Sequence, residues 1–202
     1  MTDRPILFSA PMIRALLDGA KTQTRRVLRR HKWAMADHEI ELEDDGPYVV
    51  AAATGCMAKI PVRFAKGDRL WVKETHALTE GGGVRYYATD HVNDLRRKRV
   101  SIHMPRWASR LTPIVTDVAV QRLDELTEAD AIAEGVRRNP TQADKTWMIY
   151  PEGCSAAGYL TAKRSYESLM DSLHGAGFWA GNPWVVALKF DVLKMNISSV
   201  PA

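Results

Sequence analysis

The segment GAKTQTRR, Gly19 to Arg26, sets a lysine three residues ahead of a threonine, Lys21 and Thr24, and follows the threonine directly with two arginines. A threonine hydroxyl is a weak nucleophile at neutral pH and needs a base to take its proton. A lysine amine serves once burial holds it neutral. Spacing alone leaves two readings open. In a turn the side chains meet as nucleophile and base. On a solvated basic face they are inert, and Arg25, Arg26, Arg29 and Arg30 belong to that face. The functional use for those arginines is a planar donor fork for a phosphate or a base edge.

Two carboxylates add to this set. In FAKGDRLWVKETHAL, Gly67 and Asp68 make a turn. The strand after it places Leu70, Val72 and Glu74 on one face and Trp71, Lys73 and Thr75 on the other. A carboxylate on an apolar face needs a partner, and lysine, arginine or a ligand amine would serve. In LTEADAIAEG, Thr127 and Asp130 have the spacing of a capping box, and Gly135 ends the helix. Glu134 then carries a negative charge at a helix C-terminus, against the dipole, at a cost of about 0.3 kcal/mol or more. It is either a solvated residue at a fraying end or a residue kept for another use.

The elements that must position these groups are legible in outline. PILF (Pro5 to Phe8) reads as a short buried strand. A helix follows, with Ser9 as a hydroxyl cap, Pro11 in its first turn, Ile13, Leu16 and Leu17 on one face, and Gly19 as its stop. GAKTQTRR therefore leaves that helix as a loop or strand. EGGGVRYYATD reads as a hairpin and LTPIVTDVAVQRL as a long strand. TAKRSYESLMDSLHG reads as an amphipathic helix with Tyr166, Leu169, Met170 and Leu173 on its apolar side. The last strand, NPWVVALKFDVL, puts Trp184, Val186, Leu188, Phe190 and Val192 on one side. Strands do not alternate with long helices, which argues against a doubly wound sheet. The expected class is α+β, a small, mostly antiparallel barrel with short helices on its rim. One domain is expected over residues 1–202, with insertions near 29–58, 80–100 and 137–160.

Composition excludes little but guides partners. At 202 residues, 46% hydrophobic and 26% charged, the chain can bury a core without disulfide staples. A net charge of +4 is a mild basic excess, compatible with phosphates or nucleotides. Cys56 and Cys154 form no close pair, and the histidines form no HExxH, so no metal or other cofactor is expected. No stretch approaches the ~20 apolar residues of a membrane helix. A cytoplasmic protein without membrane contact is the expectation. Trp71 and Trp184 fall in strands and suit the core, whereas Trp107 and Trp179 fall in loops, where they either stack on a base or cover the core edge.

Taken in order, GAKTQTRR, GDRLWV, LTEADAIAEG and the terminal NPWVVALKF resemble the ASCH domain family, a PUA-like barrel. FSAPMIRALLDGAKTQTRR and SIHMPRWASRL resemble its phage- and prophage-encoded members. The resemblance runs from Pro5 to about Val192, with the insertions outside it. One bacterial group of that family hydrolyses N4-acetylcytidine and carries the motif G-x-K-T-x-T-x-R. The resemblance implies Lys21 and Thr24 as catalytic residues and Arg26 as the motif arginine. It also implies Glu134, seven residues beyond Thr127, as the third catalytic residue, positioning Lys21. The implied activity removes the acyl group from N4-acylated cytosine nucleosides, with no metal. Arg26, Ser9 at its helix start, Glu74 and Trp71 are the residues expected toward substrate. Other family members bind or cleave RNA, and that is the alternative. The insertions add Trp33, Tyr86, Tyr87, Trp147 and Tyr150, which would wall a pocket for a larger acyl group.

Overall fold

From the N-terminus the chain forms β1 (Asp3–Leu7), α1 (Ala10–Leu17), β2 (Gln23–Val27), β3 (Glu39–Leu42), β4 (Tyr48–Ala53) and β5 (Cys56–Pro61). It continues through β6 (Arg69–Lys73), β7 (His76–Leu78), β8 (Val84–Tyr86), β9 (Thr112–Arg122), α2 (Glu128–Ala133), α3 (Ala162–His174) and β10 (Trp184–Leu193). This is a computed structural model, describing residues 1–28, 39–42, 48–53, 56–90, 98–140, 146–150 and 158–201. Trp33 and Cys154 lie outside the described residues.

The principal sheet has five strands in the order β1-β6-β9-β10-β2. β1 runs parallel to β6, and β6–β9 and β10–β2 are antiparallel. The class is α+β, as expected. The order ends at β1 on one side and β2 on the other, and no closed barrel is formed among the described residues. β3, β4 and β5 make a separate antiparallel sheet that starts inside the first expected insertion, near 29–58, and runs past it to Pro61, and β7 and β8 form the hairpin expected near EGGGVRYYATD.

The chain divides into two compact units, each assembled from separated segments. The first comprises Met1–Thr22, Lys66–Thr116 and Phe190–Ala202. In it β1 pairs with β6 from Asp3↔Arg69 to Leu7↔Lys73. Ile6, Phe8, Met12, Ile13, Leu16, Leu70, Val72, Leu111 and Val115 are buried. Alternation along β6 buries Leu70 and Val72 and leaves Arg69, Trp71 and Lys73 partly exposed, as the sequence predicts. Glu74 falls just beyond the strand's end. α1 buries Met12, Ile13, Ala15 and Leu16, while Leu17 is only half-buried. Ser9 takes the N-cap position, but its side chain makes no capping bond. Pro11 occupies the second helical position and has no N–H, so a usual donor to a capping oxygen is missing. Gly19, at φ +75°, ends the helix as expected.

The second unit comprises Gln23–Ala65 and Asp117–Lys189. β2 pairs with β10 in the register Thr24↔Leu188 and Arg26↔Val186. Val185 through Leu188 are all buried, so β10 is covered on both faces here rather than on the one side that alternation suggested. α2 packs against α3 and against β2. Tyr166, Leu169 and Met170 of α3 are buried, but Leu173 is 56% exposed, one turn too far along to share their cover. No helix among the described residues is long and apolar enough to cross a membrane.

Candidate active site

Gly19 and the β-branched residues after it explain the course of the KTQT segment. The left-handed glycine stops α1, and threonines favour extended backbone. Lys21 follows two residues later, with its backbone N–H on the Ala15 carbonyl at 3.0 Å. It belongs to the first unit, where it is 1% exposed and its Nζ lies 5.5 Å from the centroid of the Phe8 ring. A lysine withdrawn from water this far is rare. The solvated-turn alternative is thereby removed for Lys21. Ser9 is exposed, Trp71 is half-buried with Lys73 Nζ 5.1 Å from its ring, and Glu74 is 2% exposed.

The internal partner of Glu74 is Arg110, with Nε 2.8 Å from Oε1 and Nη2 2.9 Å from Oε2. The same guanidinium lies 3.9 Å from the Tyr86 ring centroid. Burial pushes the Glu74 carboxyl above the usual carboxylate range, and the bonds from Arg110 oppose that rise. The charged partner that an apolar-face carboxylate needs is therefore supplied by the chain itself.

In the second unit, β2 carries Thr24 at 2% exposure and Arg25 at 5%, so of the two readings open for Arg25 the solvated face is excluded. Arg26 is partly buried. Strand alternation sets Thr24 and Arg26 on one face and Gln23 and Arg25 on the other. Arg25 Nη1 donates to Glu134 Oε1 at 3.1 Å and to Gln23 Oε1 at 3.3 Å, and Nη2 lies 3.2 Å from Asp130 Oδ2. Glu134 is the C-cap residue of α2 and is 3% exposed, so it is not a solvated group at a fraying end.

α2 starts at the capping box the sequence predicts. The Thr127 Oγ1 accepts from the Asp130 N–H at 3.1 Å, and the Thr127 N–H donates to Asp130 Oδ2 at 3.2 Å. Burial works to raise the Asp130 carboxyl, but contacts from Thr127, Gln23 and Arg25 outweigh it and hold it below its usual range. Burial pushes the Arg26 guanidinium down, with Glu134 and Tyr166 opposing. Tyr166 of α3 is 1% exposed, and its buried hydroxyl faces the Glu134 carboxylate, with no partner at ordinary hydrogen-bond distance among the described residues. Burial first, and the nearby Glu134 carboxylate second, push that phenol well above its usual value, so it stays protonated at neutral pH.

The sequence reading missed Arg25, Asp130 and Tyr166 in this cluster. A signal for the first two was present. Asp130 and Glu134 are four apart on one helix face, and two like charges at that spacing call for a shared cation. For Tyr166, helical periodicity pointed only to the core. Among the described residues no group of histidines, cysteines or carboxylates is arranged to hold a metal ion. Compared with known protein families, curated proteins and solved structures, the chain matches none of them.

Proposed function

We propose that this protein is an amidohydrolase that removes the acyl group from N4-acylated cytosine nucleosides, of the N4-acetylcytidine type. The observation that carries the reading is the near-complete burial of Lys21, three residues ahead of a buried Thr24. That burial takes Lys21 off the solvated basic face and sets it beside the segment that carries Thr24, as a residue working inside a site requires. The likeness of GAKTQTRR and LTEADAIAEG to the ASCH amidohydrolases supports the same assignment, as does the burial of Glu134. The small PUA-like barrel implied by that likeness would take the five-stranded sheet as part of its wall.

In the proposed reaction, Thr24 Oγ1 attacks the acyl carbonyl carbon while its proton passes to the Lys21 amine. The tetrahedral intermediate collapses with cleavage of the bond to the exocyclic nitrogen. That nitrogen takes the proton back from Lys21, assisted by Glu134, and the free cytosine nucleoside leaves. Water then attacks the acyl-threonine ester, giving the carboxylic acid and restoring the hydroxyl. Arg26 and the helix-start amides near Ser9 are the donors proposed for the developing oxyanion. Trp71 and Glu74 are assigned to the substrate side.

The test is direct. The purified protein is incubated with N4-acetylcytidine, and the ultraviolet change to cytidine is followed alongside a Thr24→Ala variant. Turnover by the parent and its loss in the variant are expected. No turnover, together with salt-dependent binding or cleavage of single-stranded RNA, would replace this reading with an RNA-directed one.

A further inference from the structure

Arg25 follows Thr24 in β2 and is buried against α2, where one guanidinium meets two carboxylates of the same helix. We propose that Arg25 is a positioning residue for the reaction, clamping the Glu134 carboxylate in one rotamer by tying it to Asp130 and to the strand that carries Thr24. This rests on the amidohydrolase reading above.

Three features support the assignment. Glu134 and Asp130 lie one turn apart, and Glu134 stands at the helix end where the carbonyl dipoles repel negative charge. Left alone, the two carboxylates would separate toward water. Instead Glu134 is 3% exposed, with Arg25 Nη1 at 3.1 Å. The planar fork of arginine can address two carboxylates from one fixed direction, which the point charge of lysine cannot.

Asp130 is itself immobilised, because Oδ2 accepts from both the N–H and the hydroxyl of Thr127, at 3.2 and 2.8 Å. Arg25 is thus anchored to a fixed point and passes that fixity to Glu134. Finally, Arg25 Nε is buried with no hydrogen-bond partner among the described residues. Such an orphan donor is unfavourable. Its presence points to a side chain aimed by its Nη contacts to Glu134, Gln23 and Asp130 rather than by satisfaction of every donor. Among the described residues, the charged and titratable groups facing Glu134 include Arg25 and Arg26 from β2, Asp130 from its own helix and Tyr166 from α3.

The experiment compares Arg25→Met, Arg25→Lys, Glu134→Gln and the Arg25→Met/Glu134→Gln double variant. It measures kcat and KM on N4-acetylcytidine across pH, with urea unfolding as a check on folding. Arg25→Met should lower kcat by about 10–100-fold, the scale of a lost orienting partner, with little change in KM. Arg25→Lys should recover part of that loss. In the Glu134→Gln background the Arg25→Met loss should nearly vanish, since its target is gone. The acid limb of the pH profile should move to higher pH in Arg25→Met, because the cation favouring the carboxylate is removed.

A folded Arg25→Met variant within about twofold of the parent kcat overturns the inference, as does an undiminished loss in the Glu134→Gln background. If Arg25→Met does not fold, a folded Arg25→Lys variant with the parent kcat and an unmoved acid limb overturns it equally. Absence of turnover in the parent overturns the amidohydrolase reading and this inference with it. An active parent with an unaffected Arg25 variant overturns this inference alone.

Discussion

Arg110 closes a two-point fork on Glu74, Nε 2.8 Å from one carboxylate oxygen and Nη2 2.9 Å from the other, at a site where Glu74 is 2% exposed. Burial raises the Glu74 carboxyl, and the bonds and charge of Arg110 restrain that rise. A carboxyl whose folded value lies above the roughly 4.3 of free glutamate binds its proton better in the folded chain. Its contribution to stability is complete below the free value and is lost as pH rises through the folded one. Arg110→Met removes the restraint and lifts the folded value further. Urea unfolding of that variant should show a small deficit near pH ~4 that grows toward neutrality, up to roughly 3–5 kcal/mol for an unpaired buried carboxylate. A deficit independent of pH would mean that Arg110 acts only by packing on Tyr86.

The base role of Lys21 is tested by Lys21→Arg. A guanidinium stays protonated at any working pH and cannot accept the Thr24 proton. Turnover of N4-acetylcytidine should fall by at least about 10²-fold, the scale of a lost general base. Circular dichroism and urea unfolding would establish that the variant is folded. A folded Lys21→Arg protein working near the parent rate would remove Lys21 from the chemistry.

The capping box carries a prediction of its own. Thr127→Ala deletes the oxygen that accepts from the Asp130 N–H and donates to its carboxylate. Loss of the cap should cost about 1 kcal/mol, read as a lowered urea midpoint. It should also loosen Asp130, and through Arg25 the Glu134 carboxylate. A kcat loss smaller than that of Arg25→Met is therefore expected. An unchanged midpoint would show that α2 is held by its contacts with α3 and β2 rather than by its cap.

How much of this was legible depends on which force acts locally. The capping box at Thr127, the stops at Gly19 and Gly135 and the alternation of β6 are local, and the sequence displays them directly. The burial of Arg25 is not local. It depends on α2, more than a hundred residues along the chain, covering one face of β2, and a strand reading QTRRV gives no sign of that cover. The partner of Glu74 was legible in kind, since an apolar face demanded a counter-charge, but not in identity. Arg110 arrives from the segment before β9. Leu173 shows the reverse failure, where periodicity predicted contact and the cover ends one turn too early.

The aromatic residues of the insertions carry the last prediction. Trp147 was expected to wall an acyl pocket. In the second unit it is 6% exposed, its ring lies 3.9 Å from the Arg138 guanidinium, and its backbone exchanges hydrogen bonds with Tyr159 at 2.7 and 2.9 Å. A ring covered in this way is committed to packing. Tyr86 is similarly engaged in the first unit, its hydroxyl donating to the Ala108 carbonyl at 3.0 Å. Trp147→Leu should therefore lower stability by about 2 kcal/mol or more, the scale of a large-to-small core change. It should leave the ratio of kcat/KM for N4-acetyl and N4-benzoyl cytidine within about twofold of the parent. The parent ratio itself reports pocket width, and a steep fall with acyl size would identify a narrow site. A tenfold or greater change in the ratio on Trp147→Leu, by roughly 1.4 kcal/mol of discrimination, would place that ring against the acyl group after all.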